Sequence, residues 1–345
     1  MRVEQLDPVA DPRWQRLVET APGPSVFAHP AWLQLLGRRY RYGMSALCVL
    51  DAEGEIALGL PLARVESRLT GRRLVALPFT DVCPPVRRPG ADLEADAALM
   101  RAIVEQRRTT GLDIEVREDL SDLPGAHVLP SFLVHRLALE SDADAVLART
   151  SKSQIRRGIK KAEREGVTTR ARTDREALDE FYALHARTRR RQGVPIQPKG
   201  FILAFEALFA LGLGYVMTAH HDNRTISAAV FLTHGDTVIY KYGASDERFL
   251  NLRPNNLLFA DAIRRACAAG HTTMDFGRTD TDNAGLAAFK RSWGAAEEDL
   301  AYTYLAASPP REGSGLAHKA LAEVIRRGPQ RTGQVIGSAL YRHVG

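Results

Sequence analysis

Long apolar runs, paired cysteines and an export signal are all missing from this sequence. No apolar run approaches the roughly 20 residues that cross a bilayer, and the opening MRVEQLDPVADPRW has no apolar stretch of the signal-peptide kind. Cys48, Cys83 and Cys267 are the three cysteines, and their spacing gives neither a CxxC pair nor an even disulfide framework. These absences predict a cytoplasmic protein without a metal site, in which the cysteines serve as small apolar side chains.

The sequence also lacks the stronger catalytic motifs. It contains no GxxxxGK[ST] phosphate loop, no GxGxxG, no HExxH and no GxSxG. Asp275-Phe-Gly277 matches the magnesium-binding triplet of protein kinases, but no HRD loop accompanies it. Any chemistry must therefore come from a site that is less dependent on a short motif.

What the sequence does contain is the composition of a globular protein of two-domain size. Its 345 residues exceed the length at which one core usually stops growing, and 45% are hydrophobic against 26% charged. The net charge of +6 is unevenly placed, because residues 151–199 hold 14 Lys and Arg but only 6 Asp and Glu. A polyanion or phosphate surface fits this segment, although a solvated helix surface would have the same composition.

One order of elements occurs twice along the chain. The first set comprises predicted strands at 44–50, 55–64 and 72–77, a helix at 93–109 and the strand LDIEV. The second set comprises strands at 214–220, 225–233 and 236–243, a helix from Pro254 to Gly270 and the strand TTMDF. We therefore predict two similar mixed domains, each with three strands, a helix and a fourth strand.

A basic helical segment lies between the two sets. The box Ser151-x-x-Gln154 begins a first helix, and Thr173-x-x-Glu176 begins a second that ends near Gly193. The first helix carries a ridge of five cations on the face away from its apolar stripe: Arg156, Arg157, Lys160, Lys161 and Arg164. Like charges at this spacing repel each other, so either solvent or a bound anion compensates them.

The most informative stretch comes after the second set. It reads MDFGRTDTD at 274–282, GLAAFKRSWG at 285–294 and LAYTY at 300–304. Together with SKSQIRRGIKKAEREG, these motifs resemble the Fem family of peptidoglycan-bridge aminoacyltransferases, especially its subgroup associated with exopolysaccharide and exosortase systems. The resemblance covers residues 30–305 and implies an α/β (mixed α+β) fold of two tandem GNAT-like domains with helices between and alongside them.

Domain boundaries follow from this resemblance and from the repeated elements. We predict a first GNAT-like domain at 1–145, a basic helical segment with the second GNAT-like domain at 146–305, and a basic helical tail at 306–345. An amphipathic helix in the tail runs through Leu316, Ala320, Leu321, Val324 and Ile325. We expect it to pack on the second domain, with peripheral contact to a membrane surface as the alternative.

The resemblance also implies the candidate site residues. Phe289-Lys290 matches the family's FK pair, which is placed near the nucleic-acid end of the donor, and Lys290 would stabilise an anionic intermediate or hold a phosphate. We assign catalytic roles to Lys290, Asp275 and Arg278. We assign substrate contacts to Phe289, Trp293, Tyr240, Tyr242, Arg191, Asp81 and Glu115. The ridge of five cations is assigned to nucleic-acid or phosphate binding.

Several of these assignments have a purely structural alternative. Asp275 and Arg278 flank Gly277 at the end of the predicted strand TTMDF, where an Asp–Arg pair would lock a loop. Tyr240 and Tyr242 alternate along a strand, so both rings would share one sheet face and would pack in a core. Arg191 matches the family's Arg-polar-Gly segment, but the VPI that follows departs from the aromatic residues often found there, which leaves the acceptor open.

The junction before the second predicted helix separates two kinds of acyl donor. Coenzyme A-dependent GNAT domains place glycine amides at this junction, where a helix N-terminus binds the pyrophosphate. Here the junction reads FLNLRPNNL at 249–257, with no glycine and with Pro254, which has no N–H. We therefore predict aminoacyl-tRNA as the donor, with no resident cofactor.

The combined prediction is an acyltransferase that moves an amino acid from aminoacyl-tRNA to an amine of a peptidoglycan or other cell-envelope precursor. The alternative is an acyl-CoA-dependent N-acyltransferase acting on an amino sugar or exopolysaccharide precursor. A non-catalytic nucleic-acid-binding protein is more remote, because an RNP1-like aromatic segment is absent.

Overall fold

The computed structural model describes residues 1–23, 25–308 and 315–343. The strands are β1 (Arg2–Leu6), β2 (Gly43–Leu50), β3 (Ile56–Ser67), β4 (Gly71–Ala76), β5 (Val86–Arg87), β6 (Asp113–Val116), β7 (His127–Ala138), β8 (Thr168–Arg172), β9 (Gly214–His221), β10 (Arg224–His234), β11 (Thr237–Ser245), β12 (Thr273–Asp280) and β13 (Ala296–Leu305).

The α-helices are α1 (Pro12–Thr20), α2 (Pro30–Tyr40), α3 (Leu93–Thr110), α4 (Ala143–Ala148), α5 (Arg157–Arg164), α6 (Arg175–Gln192), α7 (Lys199–Leu203), α8 (Phe205–Phe209), α9 (Pro254–Ala268), α10 (Ala284–Ser292), α11 (Gly315–Arg327) and α12 (Gln330–Leu340). A π-helical turn at Lys152–Arg156 leads directly into α5, and a 3-10 helix at Glu247–Leu252 precedes α9. Within the described part of the chain, no helix is both long and apolar enough to span a membrane.

The chain divides into two compact units that interleave along the sequence. The first unit contains residues 1–132, 299–312 and 339–345, and the second contains residues 133–298 and 313–338. This division differs from the predicted boundaries at 145/146 and 305/306. The physical reason is strand pairing, because residues 303–305 of β13 pair antiparallel with β6 and so return the chain to the first unit.

The predicted basic tail is shared between the two units. In the second unit, Arg326 of α11 donates a hydrogen bond of 3.2 Å to the carbonyl of Gln192, and Ile325 is fully buried. In the first unit, the hydroxyl of Thr70 donates to the carbonyl of His343 at 2.8 Å. The tail helix α11 therefore packs on the second unit, as expected, whereas residues 309–314 and 344–345 and the side chain of Leu316 lie outside the described residues.

The first unit contains one mixed sheet with the strand order β1-β2-β3-β4-β6-β13, and β5 pairs with β3. β4 and β6 are parallel and are joined by α3, whereas the other neighbouring strands of the unit are antiparallel. The carboxylate of Asp92 accepts from the N–H of Ala95 and caps the start of α3. Gly111 ends the helix in the left-handed conformation that glycine adopts without a steric penalty.

The second unit has the strand order β7-β12-β11-β10-β9-β8. β11 and β12 are parallel and are joined by α9, and the pairs β8–β9, β9–β10 and β10–β11 are antiparallel. α9 lies on this sheet with Leu258, Ala262 and Ile263 almost fully buried.

The two units repeat the same order and directions of elements. β2-β3-β4-α3-β6 in the first unit corresponds to β9-β10-β11-α9-β12 in the second, with two antiparallel pairs followed by a parallel crossover. This confirms the predicted repeat and the mixed α/β fold class.

The helix starts in the basic segment differ in detail from the prediction. The hydroxyl of Ser151 accepts from the N–H of Gln154 at 3.3 Å, as the capping box predicts, but the next residues form a π turn instead of an α turn. Asp174, and not Thr173, caps α6, and its carboxylate accepts from the N–H of Ala177 at 2.9 Å. A carboxylate caps a helix well because it meets the positive end of the helix dipole.

Candidate functional site

A notch opens between the two parallel strands of the second unit. β11 and β12 pair only from Thr237 with Thr273 to Ile239 with Asp275, although β11 continues to Ser245 and β12 to Asp280. Beyond this point the two strands are no longer paired with each other. In the first unit, by contrast, the pairing of β4 with β6 continues to the last residue of both strands.

A β-bulge shapes the β11 side of this notch. Tyr240 pairs with Phe231 of β10 and Tyr242 pairs with Val230, so Lys241 is an extra residue. The two tyrosines consequently point to opposite faces of the sheet, and the expectation of a shared face is wrong. Tyr240 packs on Phe259 of α9 at 4.8 Å between ring centroids, and burial raises its pKa to about 12.

Tyr242 faces the other layer of helices. Its ring lies 5.7 Å from that of His185 on α6 and 6.2 Å from that of Phe205 on α8. His185 is 2% exposed and is hydrogen-bonded through Nε2 to Oε1 of Gln197 at 2.6 Å. Burial lowers the pKa of His185 to about 3, so this imidazole is neutral at physiological pH.

The β12 side of the notch contains Asp275, Gly277 and Arg278. The predicted strand TTMDF ends at Phe276, but β12 extends to Asp280 and therefore also includes Arg278. Oδ1 of Asp275 accepts from the N–H of Gly277 at 2.6 Å, and its Oδ2 lies 3.8 Å from Nε of Arg136. Gly277 has a φ of 71°, a left-handed conformation that interrupts the regular strand.

Lys290 lies beneath this irregular part of β12 and not at an open surface. It is 2% exposed, and its ammonium donates to the carbonyls of Gly277 at 2.7 Å and of Arg278 at 3.0 Å. Consecutive carbonyls of a regular strand point in opposite directions, so the left-handed Gly277 explains how both reach one ammonium. Lys290 therefore holds the strand in shape, and its assignment to catalysis stays a prediction.

A cavity of about 580 Å³ adjoins the start of α9. It is lined by Ser153, Gln154, Ile155, Arg157, Gly158, Lys161, Leu250, Arg253, Pro254, Asn255, Asn256, Phe289 and Ser292. Of the five cations of the predicted ridge, Arg157 and Lys161 belong to this lining. Arg156, Lys160 and Arg164 do not, because the π turn and α5 present them on other sides of the helix.

The start of α9 offers few backbone donors to this cavity. Arg253 has a φ of 59°, and Pro254, the first helical residue, has no N–H. The N–H of Asn256 is already bonded to the carbonyl of Arg253 at 3.0 Å. This end of the helix thus differs from a glycine-rich pyrophosphate loop, whose successive N–H groups all point at the ligand.

Phe289 of α10 lies at the cavity, whereas Trp293, the residue that follows this helix, lies in the core. Phe289 is half-buried and lines the cavity, with its ring 5.8 Å from that of Phe259. Trp293 is 0% exposed and packs against the same Phe259 at 5.5 Å, so it is a core residue here, and its assignment as a substrate contact stays a prediction. The two residues are four apart, so both rings lie on one face of the helical turn. They differ in burial, because only Phe289 reaches the cavity.

The remaining predicted contacts do not belong to the lining of the cavity. Arg191 of α6 pairs with Glu247, with an N–O distance of 2.9 Å, and both side chains are exposed. Asp81 and Glu115 belong to the first unit, where Oε1 of Glu115 lies 3.3 Å from Nε of the buried Arg117. The carbonyl of Asp81 accepts from the hydroxyl of Tyr302 at 2.7 Å. Their assignment to acceptor binding stays a prediction.

Sequence reasoning missed several residues that shape the site. Asn255 and Asn256 line the cavity, and Gly158 lies directly against the amide of Asn256. The run Pro254-Asn255-Asn256 was the sequence feature that could have indicated them. Polar side chains at the start of a buried helix are usually hydrogen-bonded to a neighbouring element.

Residues 149–291, about two fifths of the chain, match the model of an acetyltransferase (GNAT) domain. An 81-residue segment is 36% identical to the lipid II:glycine glycyltransferase of Staphylococcus aureus. That match covers 22% of this chain and 19% of the enzyme, so the chain spans about a fifth of the length of the curated relatives that it matches.

Solved structures with the same fold cover nearly the whole chain. The crystal structure of FemX superposes with a TM-score of 0.72 at 15% identity and covers 95% of this chain and 100% of that chain. L-PGS from Bacillus licheniformis has a TM-score of 0.56 at 14% identity, covering 94% and 99%. A tandem GNAT protein from the clavulanic acid biosynthesis pathway has a TM-score of 0.51 at 15% identity, covering 90% and 100%. At these identities the likeness establishes the fold.

Proposed function

We propose that this chain, in which residues 149–291 match a GNAT domain, is a Fem-like enzyme that transfers an amino acid from aminoacyl-tRNA to an amine of a cell-envelope precursor. The precursor is a peptidoglycan intermediate or a related polysaccharide. The single observation that carries the proposal is the notch between β11 and β12 with the basic cavity beside it. The glycyltransferase of Staphylococcus aureus, whose name specifies lipid II and glycine, supports the same reaction class.

We assign the reacting carbonyl to the notch, where β11 and β12 are no longer paired with each other. In the proposed reaction the acceptor amine attacks the carbonyl carbon of the aminoacyl ester, and a C–N bond forms. The C–O bond to the ribose then breaks, and the ribose hydroxyl leaves with the proton that the amine loses. Backbone N–H groups of the two strands would stabilise the oxyanion formed between these two steps.

The cavity suits the nucleic-acid end of the donor. Arg157, Lys161 and Arg253 supply positive charge, and the half-buried ring of Phe289 supplies an apolar face. Cations that neutralise phosphates and rings that stack on bases are the two general means of binding a single-stranded end. The scarcity of N–H donors at Pro254 favours this donor over coenzyme A. No resident cofactor is needed in this proposal.

The test is RNA binding by two matched double variants of α5. Arg157→Glu with Lys161→Glu alters the cavity lining, whereas Lys160→Glu with Arg164→Glu makes the same change of net charge outside it. Fluorescence anisotropy with a hairpin of the tRNA acceptor stem ending in CCA gives Kd over a range of salt concentrations. We expect the first pair to weaken binding at least tenfold and to flatten the slope of log K against log salt by about 1 to 2, and the second pair to have little effect.

Equal effects of the two pairs would show that the cavity is not where the RNA binds. Coenzyme A is measured with the same protein at the same ionic strength. Tighter binding of coenzyme A than of the hairpin by the wild type would replace the proposal with the acyl-CoA-dependent alternative, which the match to an acetyltransferase domain keeps open.

A further inference from the structure

Two adjacent asparagines at the start of α9 form hydrogen bonds to different elements of the structure. Oδ1 of Asn255 accepts from the hydroxyls of Ser227 at 2.6 Å and Ser245 at 2.9 Å, which ties the helix to β10 and β11. Nδ2 of Asn256 donates to the carbonyls of Gln154 at 3.0 Å and Ile155 at 3.5 Å, within the π turn. The pair thus joins the sheet, α9 and the basic segment at the edge of the cavity.

The π turn makes its carbonyls accessible to Asn256. The N–H groups of Arg156 and Arg157 bond to the carbonyls of Ser151 and Lys152, each five residues earlier. This wider ring disturbs the regular α-helical pairing, and such turns occur frequently at functional sites. Asn256 is 8% exposed, so its two hydrogen bonds are made away from bulk water.

Gly158 fits closely against the same amide. A Cβ atom at this position would lie 2.6 Å from Nδ2 and 2.7 Å from Cγ of Asn256, closer than real Cβ contacts. Only a residue without a side chain allows α5 to approach the start of α9 this closely. The approach in turn sets the position of Arg157, the preceding residue, and of Lys161, one turn later on the cavity side.

We propose that Asn256 is a positioning residue that holds Arg157 and Lys161 in place as the basic wall of the cavity, and so controls affinity for the donor more than the rate of transfer. This inference rests on the proposed function for the identity of the donor. Its physical basis is independent of that identity, because the hydrogen bonds to Gln154 and Ile155 fix the wall for any phosphate-bearing ligand.

The experiment compares Asn256→Ala, the near-isosteric Asn256→Asp and the double variant Asn256→Ala with Gly158→Ala. Asn256→Asp keeps the shape but removes the donor, and the double variant refills the space without restoring the hydrogen bond. Asp92→Ala, which removes the cap of α3 in the first unit, is the control for a general loss of stability. Each protein is titrated with the CCA-ended hairpin and with coenzyme A, and hydrogen exchange is followed at residues 152–161.

We expect Asn256→Ala and Asn256→Asp to raise Kd for the hairpin and KM for aminoacyl-tRNA about five- to tenfold, with kcat changed less than about twofold. Exchange at 152–161 should accelerate in both. The double variant should recover melting temperature relative to Asn256→Ala but not affinity, and Asp92→Ala should lose melting temperature and keep affinity.

Three results separate this inference from the proposed function. Hairpin binding by the wild type with unchanged affinity in Asn256→Ala and Asn256→Asp overturns the inference alone. Binding of coenzyme A but not of the hairpin by the wild type overturns the proposed donor. In that case weaker coenzyme A binding by the Asn256 variants supports the inference, and unchanged coenzyme A binding overturns it. Where the wild type binds neither probe, unchanged exchange at 152–161 in the variants overturns the inference.

Discussion

At the scale of single residues, burial decides what Lys290 does. Its sequence context matches a family motif placed near the donor, yet its ammonium is 2% exposed and bonded to the carbonyls of Gly277 and Arg278. These hydrogen bonds satisfy a buried charge and tie α10 to β12. Lys290 therefore maintains the β12 side of the notch, and its catalytic assignment stays a prediction.

This placement predicts that Lys290→Met affects stability as well as turnover. The substitution leaves two buried carbonyls without their donor, which costs about 1 to 3 kcal/mol of unfolding free energy. Turnover should fall at least tenfold because the notch changes shape. Urea unfolding and the transfer assay measure the two effects, with the exposed Lys319→Met as the control that should change neither. A variant with unchanged stability would mean that the two carbonyl bonds are not made in solution.

At the scale of elements, the notch depends on irregular backbone in two neighbouring strands. The extra residue Lys241 bulges β11 against β10, and the left-handed Gly277 turns the carbonyls of β12. Bulges of this kind redirect side chains and backbone groups, and they are common beside active sites. Tyr240 and Tyr242 show the effect directly, since their rings pack on opposite layers of helices.

We expect Gly277→Ala to lower kcat while an equivalent glycine substitution does not. A side chain in the left-handed region costs about 1 to 2 kcal/mol, so alanine favours a regular strand at residue 277. Gly270 has a φ of 80° with open space around it, so Gly270→Ala imposes a similar backbone cost at the end of α9. Both variants should lose comparable stability in urea unfolding, and only Gly277→Ala should lose turnover. Equal kcat in the two variants would argue against a catalytic role for this backbone.

At the scale of the whole molecule, buried imidazoles couple stability to pH. His135, His185 and His220 of the second unit all have their pKa lowered, in each case chiefly because burial disfavours the charged form. The unfolded chain therefore binds protons that the folded chain does not as pH falls below about 6.5. The stability that these groups contribute is complete above that pH and is lost progressively below it.

We predict that the free energy of unfolding decreases between pH 7 and pH 5, by up to about 1.4 kcal/mol per pH unit for each such histidine. His185, whose pKa is lowered to about 3, contributes across this whole interval. His185→Gln removes its titration, so urea unfolding of the variant at pH 7, 6 and 5 should show a shallower dependence on pH than the wild type. Identical slopes would indicate that the imidazole is already exposed in the folded protein.

The sequence by itself determined the order of elements, the repeat and the type of domain. The apolar run of residues 225–233 and the i, i+4 spacing of α9 are local patterns, and they persist in the fold because the side chains concerned are buried in a core. The absence of glycine from 249–257 and the lack of an N–H at Pro254 were equally visible, since both are properties of the residue type alone. Phe289 and the basic helix were likewise singled out by their motifs, and Phe289, Arg157 and Lys161 line the cavity.

Only the tertiary structure decided which of those residues meet and which face the cavity. The bulge at Lys241 is defined by pairing with β10, so alternation along β11 alone assigned Tyr242 to the wrong face. The burial of Lys290 and Trp293 required α10 to fold onto β12 and α9, and the choice of Arg157 and Lys161 among five cations required Asn256 to hold the π turn. These are contacts between residues far apart in the chain, and their free energy depends on the fitted partner, which a local pattern does not contain.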